Sequence, residues 1–336
     1  DLHAYLGAFP IARALAAGAD MVITGRVVDS ALILGPLIHE FGWTAQDLDL
    51  LAAGTLAGHL LECGAQVTGG TFTDWQDVPD WANIGFPVGE CHADGSVVIT
   101  KPEGTGGLVS IGTVTEQMLY EVGDPQAYIV PDVVCDFSAV TLEQVGPNRV
   151  RVSGAKGYPP TGSLKVCATY DAGWRSVALI PVTGIDAVAK AQRQADALLE
   201  RTSTMLRDRN WPEWTATHVE LIGTETAYGP RAQALSPREV LLKIVVDHES
   251  PAACALFGRE QTNAIMNMSV GTSIAPIIAA PRAFPLTDMF FGLIGRDRAS
   301  AKVRLDGQDI ALADPVRAGF DPAVIVRPPV PSAPEA

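Results

Sequence analysis

The first 64 residues constrain the fold most tightly. Two stretches with helical apolar spacing, "PIARALAAG" and "SALILGPLIHEFG", flank the short apolar run "DMVIT". Pro10 suits a first helical position and Gly18 a helix stop. Asp29 is placed to cap the second helix, and a third is expected over about 47–63, entered at Asp47 and closed by Gly64. Helix–strand–helix order with short connections is what a parallel sheet produces. We therefore expect the chain to open as the N-terminal part of a mainly parallel α/β sheet domain.

The pattern changes after about residue 84. Residues 84–101 alternate around "ADG", a hairpin signal, and Thr113 with Glu116 fits a capping box before "VTEQMLYEV". Several β-rich runs fill 133–182, separated by Gly-Pro-Asn and Asp-Ala-Gly turns. A long helix is expected over about 185–208, then strands at "HVELIGT" and "EVLLKIVVDH". Ser250 and Pro251 start a further helix, and a last strand falls near "AKVRLDG". This predicts an α+β lobe with antiparallel strands. The expected division is 1–130 for the α/β domain, 131–326 for the lobe and 327–336 for a Pro-rich tail or linker. The start at Asp1, without methionine and already entering a helix signal, is read as an α/β domain lacking its N-terminal portion.

Composition narrows the function classes. Apolar residues make up 47% of the chain and charged ones 18%, below the usual quarter, so much of the chain is expected to be buried, in part in the contacts of a homo-oligomer. With 24 Lys+Arg against 38 Asp+Glu the net charge is −14, which opposes nucleic acid and anionic lipid. An anionic small molecule remains compatible, because a few local cations outweigh a distant field. No apolar run reaches the roughly 18–20 residues that span a bilayer. The five cysteines include no C-x-x-C pair and read as reduced thiols of a cytoplasmic protein.

Four segments carry candidate chemistry. "ITGRVVDS" sets Thr24, Gly25, Arg26 and Asp29 after an expected strand, where open α/β sheets collect anionic ligands; alternatively Arg26 simply pairs with Asp29. In "GTLAGHLLECGAQ", His59, Glu62 and Cys63 stand at i, i+3 and i+4, a spacing that suits metal ligands or proton transfer. His59 and Cys63 also fall in the apolar stripe of Ala52, Leu56 and Leu60, which favours a packed face and no metal. Thr68, Gly69 and Gly70 let the backbone approach either a ligand or another loop. "TKPEGTGGLVS" matches neither glycine-rich nucleotide pattern. Even so, Gly104, Gly106 and Gly107 could form an anion nest with Lys101 and Thr105, or merely a turn, with Glu103 beside it as a repelling group or a base.

Several of these blocks, in order, resemble one family. "AYLGAFPIARALAAGADMVITGRVVDSALILGPLIHEFGW", "LAAGTLAGHLLECGAQVTGG", "VPDWANIGFPVGEC", "ITKPEGTGGLVS", "VTEQMLYEVGDPQAYIVPDVVCDF" and "RVSGAKGYPPTGSLKV" are similar to the acyclic terpene utilisation protein AtuA family over most of residues 1–270. The resemblance implies a role in bacterial catabolism of acyclic terpenoids such as citronellol and geraniol, which runs through branched acyl-CoA thioesters. It transfers no catalytic residues. The segment "SVGTSIAPIIAAPRAFP" departs from the Gly-Thr-Thr-Gly and Gly-Gly-Arg-Pro runs expected there.

The resulting expectation is a protein acting on or binding a branched acyl-CoA or carboxylic acid, with no cofactor beyond CoA as part of the substrate. Arg26, Lys101 and the Gly104–Gly107 backbone would hold phosphate or carboxylate; Asp29, His59, Glu62 and Glu103 are the proton-transfer candidates. Rival expectations are a non-catalytic assembly subunit binding a partner enzyme and, further off, a metal-dependent hydrolase.

Overall fold

Three helices form at the front of the chain because each carries an apolar face and a stop signal. They are α1 (Phe9–Ala16), α2 (Ala31–Phe41) and α3 (Leu48–Glu62), preceded by strand β1 (Leu2–Ala4). The computed structural model describes residues 1–234, 236–273, 282–312 and 319–325. Gly42 ends α2 in the left-handed conformation (φ 66°). Asp47 accepts the amide and the hydroxyl of Thr44, both at 2.7 Å, fixing the turn into α3 rather than capping its amides.

The parallel α/β expectation is overturned. All the described sheets are antiparallel, and parallel pairing is confined to the isolated bridges Leu6–Val27 and Ile84–Gly106. The physical reason lies in the connections. A parallel pair needs a crossover helix with a strand on each side, whereas α2 passes to α3 through a turn. "DMVIT" is not a strand either, and its Met21 and Ile23 are 79% and 90% exposed. The helices pack on one another instead.

That packing is close. A Cβ on Gly58 would lie 2.5 Å from the Ser30 carbonyl oxygen and 2.7 Å from its Cα, and one on Gly54 would meet Leu34 and Trp43. Small residues on α3 thus let α2 approach within backbone distance. Ala8, Ile11, Leu34, Leu51, Leu56 and Leu60 form the adjoining core.

Next come the hairpin β2 (Val88–Cys91) and β3 (Val97–Thr100), and α4 (Ile111–Leu119). The capping box is Ser110 with Thr113, one turn earlier than expected: each side chain accepts the other's amide. Glu116 accepts the Thr73 amide instead. Short strands β4 (Tyr128–Ile129), β5 (Val134–Asp136), β6 (Thr141–Gly146), β7 (Arg149–Ser153) and β8 (Lys156–Tyr158) complete two antiparallel sheets, in the orders β2-β3-β7-β6 and β4-β5-β8. Strand β9 (Ser163–Thr183) is continuous where a turn at Asp171-Ala172-Gly173 is expected. Gly173 keeps it extended past β11 (below), since a Cβ there would lie 2.8 Å from the His248 carbonyl oxygen.

The chain divides into two compact units, one of Leu2–Ala168 with Phe291–Ala336 and one of Asp1 with Thr169–Phe290. In the first, β1 pairs with residues 166–168 of β9. In the second, residues 174–183 of β9 pair with β11 (Glu239–His248), which pairs with β10 (Ala216–Ile222). Helices α5 (Ala187–Asp208), α6 (Pro251–Glu260) and α7 (Thr262–Asn267) accompany this sheet, around a core of Ile180, Leu198, Leu242, Ile244 and Phe257. Strand β12 (Phe284–Gly295) pairs with β9. Strands β13 (Val303–Leu305) and β14 (Gln308–Ile310) pair with each other. Residues 274–281 of the divergent late segment, and the Pro-rich tail at 327–336, lie outside the described residues.

Replacing Gly58 by Ala should lower stability by about 1–3 kcal/mol, the usual cost of overpacking, because only backbone movement at Ser30 makes room. Gly123→Ala, where nothing lies within 4 Å, should shift a urea midpoint little. Equal midpoints for the two variants would refute the close-approach account.

Candidate functional site

The α2–α3 approach brings two candidate carboxylates to one cleft. Asp29 sits at the entry to α2 and Glu62 on the last turn of α3, and both line a cleft of about 740 Å³. Tyr5, Val28, Tyr128, Val130, Leu164 and Leu293 supply much of its wall, and Glu121 and Asp321 bring its carboxylates to four. Lys165 is the only cation among the described lining residues, and its ammonium lies 5.2 Å from the Tyr5 ring centre and 4.7 Å from that of Phe291.

His59 stands behind Glu62. Its ring is 1% exposed, and Nδ1 lies 3.0 Å from Glu62 Oε1. With a carboxylate as acceptor, Nδ1 is the donor of this bond. Nε2 is buried and without a partner among the described residues. The His59 carbonyl accepts from Gln117 Nε2 at 3.0 Å, and Tyr128 packs beside the imidazole at 5.5 Å. Glu62 faces the cleft, whereas His59 lies outside its lining.

The surroundings keep the neighbouring acids neutral. Burial, then the charges of Glu62, Cys135, Asp29 and Glu121, pushes the Tyr128 phenol well above its usual range. Burial likewise raises the Cys63 thiol; a bond from Gln117 opposes this, and Glu62, Glu121 and Asp29 add to it. Cys63 is therefore a protonated thiol, not a poised nucleophile. All five cysteines are free.

The other side of the 24–29 loop carries positive charge. Thr24, Gly25 and Arg26 line a groove of about 380 Å³ together with His3, Lys302 and Arg304. Arg26 Nη1 is 3.3 Å from Asp29 Oδ1, and its guanidinium lies 5.2 Å from the Tyr5 ring centre. Arg304 pairs with Asp309 at 3.0 Å. The loop thus separates a cationic groove from an acidic, apolar-walled cleft.

The two glycine segments lie together, joined through their backbones. Leu108 N–H donates to the Thr68 carbonyl at 2.8 Å, Gly107 N–H to Pro79 and Gly106 N–H to Asn83, also at 2.8 Å. Thr68 Oγ1 donates to the Gly85 carbonyl at 2.5 Å. A Cβ on Gly69 would meet Val78, one on Gly70 the Ala65 carbonyl, and one on Gly106 the Asp80 carbonyl. Lys101 Nζ donates to the Thr105 carbonyl at 2.7 Å, and Thr105 Oγ1 donates to Pro102 at 2.7 Å. Gly104 (φ +74°) and Glu103 complete this turn, Glu103 on its exposed side. Here the glycines serve loop crossing, and neither segment lines the cleft or the cationic groove.

Sequence reasoning missed Tyr5, Glu121 and Tyr128. Glu121 alone left a local trace, its place in the polar turn "YEVGD", where the structure gives it φ 58°. Among the described residues, no group of three His, Cys, Asp or Glu side chains is placed to hold a metal ion. No described helix is long and apolar enough to cross a membrane.

Fold and site together define an α+β protein with antiparallel sheets and a carboxylate-bearing cleft beside a cationic groove. Residues 1–305 match the family described as acyclic terpene utilisation family protein AtuA, and the chain belongs to that family. Its role is therefore in acyclic terpene utilisation. Neither a curated protein nor a solved structure matches the chain.

Near the cleft, Asp132 follows Pro131, is 4% exposed, and accepts the Ala8 amide at 2.9 Å. Burial raises its pKa from 3.8 to about 6, against the lowering effects of that bond and of Arg296. The folded state therefore binds this proton more tightly than the unfolded chain. Its stabilising effect is complete below about pH 3.8 and is lost as pH rises through 6, by roughly 3 kcal/mol. Asp132→Asn keeps an acceptor for Ala8 and should remove this component. The wild-type minus variant stability difference, from urea titrations between pH 4 and 7, should fall with pH; a flat difference would contradict the assignment.

Proposed function

We propose that the protein binds the acyl-CoA thioester of a branched acyclic terpenoid acid and transfers a proton at its acyl portion. One observation carries this reading: a single loop, residues 24–29, presents Arg26 to a cationic groove and Asp29 to an apolar-walled cleft. Phosphates of CoA suit the groove, where Arg26 can offer a two-pronged contact and Lys302 and Arg304 add charge. The branched hydrocarbon suits the cleft, whose volume lies in the range of small-molecule sites.

Charge separates the thioester from the free acid. Asp29, Glu62 and Glu121 repel a second carboxylate but tolerate a neutral thioester. Glu62 is the proton-transfer group, being the member of the His59–Glu62 pair that lines the cleft, and His59 holds its orientation. Asp29 is the second carboxylate within reach of the same space.

A second reading, a non-catalytic assembly subunit, draws support from β12, where Met289, Phe290, Phe291 and Leu293 are 49–73% exposed. Such a strand suits contact with another polypeptide.

Calorimetry with citronellyl-CoA, geranyl-CoA and free CoA tests the leading reading. Both thioesters should bind more tightly than CoA. Arg26→Ala should weaken all three by about tenfold. In D₂O, Glu62→Gln should leave binding nearly intact and stop deuterium entering the α-position of citronellyl-CoA. Absence of heat with every ligand would end the acyl-CoA reading, and binding without deuterium entry in the wild type would favour the non-catalytic one.

A further inference from the structure

The unit containing residues 169–290 has a cavity of its own. On α5, Lys190, Arg193, Gln194 and Ala197 follow at i, i+3, i+4 and i+7, so they share one face of the helix. With Asn267, Met268 and Ser269 they line about 400 Å³. The segment after α7 is tied to the end of β9: Thr183 N–H donates to the Gly271 carbonyl at 2.8 Å and Ser273 N–H to Pro181 at 3.0 Å. Gly271 (φ +91°) is required there, since a Cβ would collide with the Thr183 carbonyl.

Gln194 joins the helix to this segment. Its Nε2 contacts Ser269 Oγ and lies 2.8 Å from Thr272 Oγ1. The side chain is 2% exposed and Oε1 is buried without a partner among the described residues. Either orientation of the amide leaves one polar atom unmatched, because the two hydroxyls can donate or accept while the opposite atom meets nothing. Such a buried group is costly unless a ligand or water completes it. Beside it, Lys190 and Arg193 have no ion-pair partner among the described residues, in a chain of net charge −14.

We propose that this cavity binds a phosphate monoester of a small organic alcohol. Lys190 and Arg193 neutralise the dianion, and Gln194, turned so that its carbonyl accepts from Ser269 and Thr272, donates its amide hydrogens to a phosphate oxygen. The space exceeds a bare phosphate, and Ala197 with Met268 offers an apolar wall for the organic part. A lone carboxylate would leave donors on this set unused.

The test is calorimetry on the whole chain with phenyl phosphate, inorganic phosphate and acetate. Phenyl phosphate should bind most tightly, inorganic phosphate more weakly, and acetate not measurably. Lys190→Ala with Arg193→Ala, both substitutions on an accessible helix face, should weaken phenyl phosphate at least about tenfold and abolish the rise in Tm that the ligand gives the wild type. Arg26→Ala should leave this affinity unchanged, which separates the site from the cationic groove of the 24–29 loop. No binding of phenyl phosphate, acetate binding as tightly as the phosphates, or an affinity unmoved by the double substitution would each overturn the proposal.

Discussion

The closeness of α3 to Ser30 sets the geometry on which the site depends. Gly58 admits the Ser30 backbone to a distance that no side chain could share. Asp29 precedes that contact by one residue, and Glu62 follows Gly58 by one helical turn. The missing Cβ therefore fixes two carboxylates against one cleft, although they are 33 positions apart in the chain. Packing at backbone distance has few alternative arrangements, so the end of the 24–29 loop, with Asp29, is anchored against the helix that carries Glu62.

Burial then assigns different tasks to similar groups. His59 has the side chain most often used for proton transfer at neutral pH, yet it is buried behind Glu62 and outside the cleft lining. Cys63, one position further on, is held as a thiol by burial and by neighbouring carboxylates. Of this helix end only Glu62 lines the cleft. Its reach into that space, and not its residue type alone, is why the proposed proton transfer is assigned to it.

What the sequence made legible was local. Helix stops at Gly18 and Gly64, a hairpin within 84–101, the Ser250 cap and the long α5 follow from spacing and turn chemistry, and the structure has them. The parallel sheet was misread because "DMVIT" has the composition of a buried strand, while pairing is a long-range property with no local mark. The site was legible in part for the same reason. Arg26, Asp29 and Glu62 stand beside turns or helix ends that can be recognised locally, but Tyr5, Tyr128 and Lys165 reach the cleft only through β1, β4 and β9. Gly69, Gly70, Gly106 and Gly107 signalled close approach correctly, whereas Gly104 meets nothing within 4 Å; whether a ligand or the protein itself approaches depends on partners distant in sequence. Here the partners are carbonyls of residues 65, 68, 79, 80 and 83.

The Arg26–Asp29 pair shows why a structural contact and a binding role are compatible. Its side chains are 44% and 67% exposed, and a pair so open to water contributes little, about 0–1 kcal/mol. Arg26 can therefore exchange Asp29 for a phosphate with small loss, since phosphate carries more charge and accepts a two-pronged contact. Asp29, released from its cation, still lines the cleft that Glu62 lines. One short loop thus carries both a cation of the groove and a carboxylate of the cleft, so an anion seated on Arg26 would also change what Asp29 faces.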